Sequence, residues 1–180
     1  DAAKAAADAD VVLFFGGLNK DHHQDGEGCH RIAYGLPYNQ DNVIEALAAA
    51  NPNLAVCIIS GNAVAMPWVA QVPAIVECWY CGSQAGNSIA DVVFGKVNPS
   101  GKLPFTFPVK IEDSPAHALD AYTCGPDVKY KESIYVGYRW FDTKEIKPLF
   151  AFGHGLSYTE FEYSDFKASS SISANGTLKA

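Results

Sequence analysis

Short apolar runs alternate with polar, glycine-containing loops along the first half of the chain. Three of these runs, residues 11–15, 54–60 and 74–79, are too short for helices and are almost entirely apolar. Runs of this kind are typical of strands that are buried on both faces of a parallel sheet. We therefore predict three buried strands.

Segments with helical periodicity lie between and before these runs. In residues 39–51 the apolar side chains fall on one face of a helix, with Asn39 as the predicted N-cap and Asn51-Pro52 as the end. The alanine-rich residues 1–9 and residues 87–94 also predict helices. Strands that alternate with helices in this way are typical of βαβ units, so the predicted fold class is α/β, with a mostly parallel sheet and helices on both faces.

The second half of the chain has a different character. Prolines and glycines between residues 98 and 108 interrupt any helix or central strand and predict an irregular connection that continues to residue 127. The aromatic residues of 134–141 predict a further strand or extended segment. From Thr159, the alternation of Phe161, Tyr163 and Phe166 predicts a half-buried strand of a second unit.

Composition excludes two classes of partner. The 180 residues are 48% hydrophobic and 18% charged, which is enough apolar material for a folded core. A net charge of -7 and the absence of a lysine or arginine cluster argue against nucleic acid. No apolar run approaches the roughly 20 residues that span a bilayer, so we expect no membrane partner.

The polar loop after the first predicted strand contains the residues with the most chemical interest. Its sequence, residues 24–31, places Glu27 between Gly26 and Gly28. Glycine permits a close approach of the backbone to a ligand and a left-handed turn that projects the neighbouring side chain. Ligands of parallel α/β sheets bind beyond the carboxyl ends of the strands. We therefore expect Glu27 to be displayed at that edge, together with the turn at residues 60–62 and Trp79-Tyr80.

Two other groupings allow alternative interpretations. His22, His23 and Asp25 could hold a metal ion, but further ligands with suitable spacing are missing, and a polar loop surface is favoured. The pair Cys78 and Cys81 matches C-x-x-C, which fits half a zinc site, a redox pair or incidental thiols. Incidental thiols are favoured because no second pair of ligands accompanies them.

A series of motifs in fixed order covers almost the whole chain and resembles one family. The chain is similar to the C-terminal half of glycoside hydrolase family 3, of the β-glucosidase and β-xylosidase type. The matching segments are Glu27-Gly28-x-x-Arg31, Leu36-Pro37-x-x-Gln40, residues 49–53, residues 60–68, Trp79-Tyr80, residues 91–104, residues 135–139 and residues 152–158.

The resemblance implies a domain organisation. Residues 1–157 resemble the α/β sandwich domain, a three-layer sandwich that is truncated at its N-terminus. Residues 158–180 resemble the start of a fibronectin type III-like domain, an incomplete β-sandwich segment. The family's N-terminal barrel is expected outside this chain, as a partner domain of the same protein.

The resemblance also implies a role for Glu27. Retaining glycosidases use two carboxyl groups, one as nucleophile and one as acid/base. In this family the barrel supplies the nucleophilic Asp, and the sandwich domain supplies the acid/base Glu, which Glu27 matches. The family usually has Asp directly before Arg31, whereas this chain has His30, so Arg31 lacks an adjacent acidic neighbour and His30 is a substitute hydrogen-bonding group.

Four further residues are candidate substrate contacts: His30, Arg31, Trp79 and Tyr80. Aromatic rings suit the C–H faces of sugars, but large aromatics also pack in cores and between domains, and packing is the favoured interpretation for Trp68, Trp79 and Tyr80. The expected substrate is an oligosaccharide or β-glycoside that is cut at its non-reducing end, with no metal or organic cofactor. The alternative is a non-catalytic module for carbohydrate binding or domain packing. Exported relatives suggest a periplasmic or extracellular location.

Overall fold

The sheet has three parallel strands, as the apolar runs predict. A computed structural model describes residues 1–21, 23–28, 30–123 and 126–177. Within them the strand order is β1 (Val12–Gly17), β2 (Leu54–Ile59) and β3 (Ala74–Glu77). Both neighbouring pairs are parallel, with β2 in the centre. The predicted α/β class is confirmed.

Five α-helices accompany the sheet in the described residues: α1 (Ala2–Ala7), α2 (Gln40–Ala50), α3 (Ala85–Val93), α4 (Pro115–Ala118) and α5 (Tyr138–Thr143). The predictions for α1, α2 and α3 are confirmed within a few residues at each end. Asn39 stands at the N-cap of α2, but its side chain makes no capping bond to the helix backbone and instead accepts a hydrogen bond from Asn42. At the other end of α2, Asn51 donates to the carbonyl oxygens of Ala6 and Ala9 and so joins α2 to α1.

The core lies between α2 and one face of the sheet. Ile44 from α2 and Val56 and Ile58 from β2 are completely buried, and Trp68 and Phe107 close the core from the connecting loops. The Trp68 indole N–H donates to Asp41 at 2.8 Å, which satisfies the one polar group that this ring buries.

The opposite face of the edge strand β1 is only partly covered. Leu13 and Phe15 are 37% and 52% exposed, and the residues of β3 are exposed or only partly buried. The predicted burial on both faces therefore holds for β2 and is wrong for β1 and β3. Together with Ile89 and Val93 of α3, these two side chains line an apolar groove of about 210 Å³. Helices therefore lie on both sides of the sheet. On the side of α3, the face of β1 is only partly covered.

The prediction of a strand or extended segment at residues 134–141 is wrong for residues 138–141, which are helical. Tyr138, Trp140 and Phe141 belong instead to α5, which follows Gly137, a glycine with φ of +60°. Trp140 and Phe141 are buried by this helix, and the Trp140 indole N–H donates to the Asp113 carbonyl oxygen at 3.1 Å. Packing of two adjacent aromatics on a short helix outweighs their strand propensity here.

The strand predicted from Thr159 is also not formed in residues 159–177. Phe161, Tyr163 and Phe166 are 70%, 93% and 84% exposed, because no described strand lies opposite them to complete a ladder. No helix in the described part of the chain has the length and apolarity that crossing a membrane requires.

Candidate functional site

Glu27 lies in the loop between β1 and α2, at the carboxyl edge of the sheet. Its side chain is exposed. The following Gly28 has φ of +77°, and no atom of the described residues would lie within 4 Å of a Cβ placed on it. The loop thus displays the carboxyl group, as the glycine pattern predicts. Its catalytic role stays a prediction.

The first part of this loop is held by hydrogen bonds within itself. Asn19 accepts from the Asp25 backbone N–H at 3.0 Å and donates to Asp21 at 2.9 Å. The Tyr38 hydroxyl donates to Asp21 at 2.7 Å and accepts from Gln24 at 2.9 Å. Hydrogen bonds from Tyr38 and Asn19 lower the pKa of Asp21 because they favour its charged form. These bonds join Asn19, Asp21, Gln24, Asp25 and Tyr38 into one network.

Asp25 connects the loop to the sheet. Its Oδ2 accepts a hydrogen bond from the Gly61 backbone N–H at 2.7 Å and from the Tyr80 hydroxyl at 2.8 Å, and its Oδ1 accepts from the Asn62 amide at 3.3 Å. Gly61 and Asn62 follow β2, and Tyr80 follows β3. The carboxylate therefore joins the ends of two neighbouring strands.

Arg31 fixes the loop on the other side of Glu27. Its Nε donates to the Ala33 carbonyl oxygen at 2.9 Å, and its Nη2 donates to the carbonyl oxygens of Tyr34 and Ala63 at 3.3 and 2.7 Å. The guanidinium carbon also lies 5.6 Å from the centre of the Tyr34 ring. These contacts give Arg31 a structural role in the described residues, and its predicted role in substrate binding remains a prediction.

Replacing Arg31 by Lys is expected to destabilise this domain by about 2 kcal/mol, because an ammonium group cannot donate to three carbonyl oxygens in the planar arrangement of a guanidinium. The free energy of unfolding from urea titration measures the effect. Arg139→Lys is the matched control, since Arg139 is exposed and contacts only the Tyr138 ring among the interactions described. Equal stability of the two variants would contradict the role assigned to Arg31.

His30 turns towards the irregular connection that ends at residue 127. Its Nδ1 forms a hydrogen bond of 2.9 Å with the Tyr122 hydroxyl, and the two rings meet edge to face. His117 also stacks on Tyr122, with ring centres 4.8 Å apart. At the position where the family usually has Asp, this chain therefore has a ring that contacts Tyr122, which sequence reasoning did not single out.

Three of the four predicted substrate contacts border one open cavity of about 630 Å³. His30, Arg31 and Tyr80 line it, together with Asp25 and Tyr122. Trp79 does not. Its ring packs against Phe105 and Phe107, with centres 5.7 and 6.1 Å away, as the packing interpretation predicts.

A carboxyl group that sequence reasoning missed lies beneath this edge. Glu77, the last residue of β3, accepts a hydrogen bond from the Trp79 backbone N–H at 3.1 Å and pairs with the buried Ser60 hydroxyl at 3.2 Å. Its second oxygen, Oε2, is buried with no hydrogen-bond partner in the described structure. Burial raises the pKa of Glu77 to about 7. In the sequence, the signal for this buried carboxyl group is a single acidic residue near the end of the apolar run 74–79.

The described residues give no support to the metal-site interpretation of the histidine loop or to the redox interpretation of Cys78 and Cys81. His22 lies outside the described residues, as do Cys29 and Cys124, and the rest of the chain contains no group of three potential ligands arranged for a metal ion. Cys78 is buried, and a hydrogen bond with Cys57 together with burial raises the pKa of its thiol. A thiol that stays protonated is a poor redox group.

A parallel α/β domain with a displayed glutamate at the carboxyl edge of its sheet is thus the class that fold and site define. The family model of the glycosyl hydrolase family 3 C-terminal domain matches residues 1–158. The chain belongs to this family, which confirms the resemblance seen in the sequence.

Relatives of known name support the same assignment. The chain is 55% identical over 167 residues to "Beta-glucosidase BoGH3A" of Bacteroides ovatus, covering 91% of this chain and 22% of the relative. It is 47% identical over 165 residues to "Thermostable beta-glucosidase B" of Acetivibrio thermocellus, covering 92% of the chain and 22% of the relative. The chain therefore spans about a fifth of the length of these curated relatives.

Solved structures agree with the fold. DesR, a β-glucosidase from Streptomyces venezuelae crystallised with D-glucose, matches with a TM-score of 0.86 and 39% identity, over 98% of this chain and 22% of that one. A β-glucosidase from Kluyveromyces marxianus in complex with glucose matches with a TM-score of 0.84 and 39% identity, over 94% and 20% of the two chains.

Proposed function

We propose that this chain carries the acid/base loop of a retaining, exo-acting β-glucosidase. Glu27 protonates the glycosidic oxygen as the leaving group departs, and it then removes a proton from the water that releases the sugar. The nucleophile and most of the sugar pocket come from an N-terminal barrel domain of the same protein. The full catalytic pair forms only where the two domains meet.

The observation that carries the proposal is the display of Glu27 between two fixed points. Its carboxyl group is exposed at the rim of the sheet, while Asp25 and Arg31 hold the chain on either side of it. A group that transfers a proton must reach an atom of the substrate within hydrogen-bond distance. An exposed carboxyl group with Asp25 and Arg31 held on either side of it supports this requirement, and the names of the relatives supply the substrate class.

We further propose that the rest of this edge contributes to substrate binding. The cavity beside the loop contains hydroxyl, imidazole and guanidinium groups from Tyr80, His30 and Arg31, which are suited to the hydroxyl groups of a sugar. Glu27 is not among the described residues that line this cavity, so we assign the cavity to the part of the leaving group that lies beyond the oxygen protonated by Glu27.

The test is the stereochemistry of hydrolysis by the full-length protein. With 4-nitrophenyl β-glucoside as substrate, ¹H NMR at early times is expected to show β-glucose as the first product, before mutarotation, and the α-glucoside is expected to be inert. α-Glucose as the first product would overturn the retaining mechanism. Saturable binding of β-glucosides without hydrolysis would favour the alternative, a carbohydrate-binding module.

A further inference from the structure

Asp25 occupies a special position relative to Glu27. It lies two residues before Glu27, and its carboxylate accepts hydrogen bonds from the ends of two strands through Gly61, Asn62 and Tyr80. We name these four residues the Asp25 anchor. The partners are 36 to 55 residues away in the sequence, so the anchor ties the loop to the sheet and not merely to itself.

The backbone of Gly61 lies in close contact with Asp25 and Tyr80 in the anchor. A side chain at Gly61 would place its Cβ 3.0 Å from Asp25 Oδ2 and 2.9 Å from the Tyr80 ring. Only glycine lets the backbone N–H approach the carboxylate at 2.7 Å without displacing Tyr80. Burial and the hydrogen bond to Asp25 raise the pKa of Tyr80, so its hydroxyl keeps the proton that it donates.

The other contacts of the loop do not replace the anchor. Hydrogen bonds join Asn19, Asp21, Gln24 and Tyr38 in the first part of the loop, and Arg31 is held by its own contacts after Glu27. Between these points, Asp25 is the described residue whose side chain bonds directly to the strand ends. The position and direction of the backbone at Asp25 therefore determine the position of the Glu27 backbone, two residues later.

We propose that Asp25 is a positioning residue for Glu27, whose carboxylate, bound to Gly61, Asn62 and Tyr80, sets the distance between the Glu27 carboxyl group and the leaving oxygen of the substrate. The proposal rests on the acid/base function proposed for Glu27. Proton transfer is sensitive to this distance, since a misplacement of about 1 Å costs roughly 10²-fold in rate.

The experiment compares substrates that need the acid with substrates that do not. The full-length protein is assayed for kcat/KM on a series of aryl and alkyl β-glucosides with leaving groups of increasing pKa. A leaving group of low pKa departs without a proton, whereas an alkoxide requires one, so a misplaced acid slows only the second kind. A variant with nonspecific damage loses activity equally on both.

Three variants and one control separate the contributions. Asp25→Ala removes every bond of the anchor, Tyr80→Phe removes one, and Asp25→Asn removes the charge while keeping an oxygen that can accept from Gly61 and Tyr80. The control is Tyr158→Phe, which removes one tyrosine hydrogen bond, to the Val92 carbonyl oxygen of α3, and no bond of the Asp25 anchor.

The expected result for Asp25→Ala is a loss of about 10²-fold on alkyl glucosides with little loss on activated aryl glucosides. Tyr80→Phe shows a smaller change of the same kind, Asp25→Asn restores most of the activity on alkyl glucosides, and the control keeps the wild-type profile. If Asp25→Ala does not fold, Tyr80→Phe carries the test.

An unchanged dependence on the leaving group in both Asp25→Ala and Tyr80→Phe overturns the proposal, and so does a uniform loss on every substrate. Failure of the underlying function has a different signature: the wild-type protein hydrolyses no β-glucoside, or Glu27→Ala keeps the wild-type profile. In that case both proposals fall together.

Discussion

Glu27→Ala in the full-length protein is expected to lower kcat for glucosides with poor leaving groups by about 10²- to 10⁴-fold, the usual contribution of a general acid/base. The reason is that the departing alkoxide then receives no proton and the attacking water has no base. Activated aryl glucosides are expected to keep a fast first step, because their leaving group departs without a proton.

Azide provides the second part of this test. Since azide attacks the glycosyl-enzyme intermediate without a base, it is expected to restore turnover of an activated substrate by Glu27→Ala and to yield β-glucosyl azide. The control is Glu160→Ala, which changes an exposed glutamate beyond the matched domain. Wild-type activity on alkyl glucosides in Glu27→Ala would contradict the role of Glu27, as would a lack of any response to azide.

Local patterns predict the sheet well because each strand depends mainly on its own apolar run. β2 is the clearest case, since Val56 and Ile58 are fully buried in the centre. β1 has an equally apolar sequence, yet Leu13 and Phe15 remain partly exposed because their environment depends on what lies beside α3, which a local pattern does not specify.

The two strand predictions in the second half of the chain are wrong because tertiary contacts, and not the local sequence pattern, decide whether a strand forms there. The aromatic residues before and within α5 have the composition of a strand, but burial of Trp140 and Phe141 and the turn at Gly137 favour a helix. Phe161 and Tyr163 alternate like a half-buried strand, but alternation has no effect without a neighbouring strand to pair with.

One part of the candidate site could be predicted from the sequence, and another part could not. Glu27 could be found because glycine on both sides is a local signal for a displayed side chain. The anchoring role of Asp25 could not be found, because its partners Gly61 and Tyr80 become neighbours only when β1, β2 and β3 lie side by side.

Glu77 gives the second prediction with a large effect, on stability as a function of pH. Its Oε1 accepts hydrogen bonds from the Ser60 hydroxyl at 3.2 Å and from the Trp79 backbone N–H at 3.1 Å, which favour the charged form. Burial opposes the charge more strongly, and Oε2 is buried with no hydrogen-bond partner in the described structure. Burial raises the pKa of this group from 4.5 to about 7.

A raised carboxyl pKa in the folded state means that the folded state binds the proton more tightly than the unfolded state. The resulting stabilisation is fully present below about pH 4.5 and is lost as the pH rises through about 7. Between pH 5 and pH 8, Glu77 is therefore expected to lower the free energy of unfolding by about 2 to 3 kcal/mol.

Glu77→Gln is the variant that measures this contribution, because glutamine has the same shape and does not titrate. The free energies of unfolding of the wild type and of Glu77→Gln, from urea titrations at several values between pH 5 and pH 8, are expected to diverge, with the variant gaining relative stability as the pH rises. Glu112→Gln, at an exposed position, serves as the control and should follow the wild type. Parallel curves for wild type and Glu77→Gln would show that Glu77 is charged in the folded state throughout this range, and the strand ends beneath the Asp25 anchor would then carry a buried negative charge.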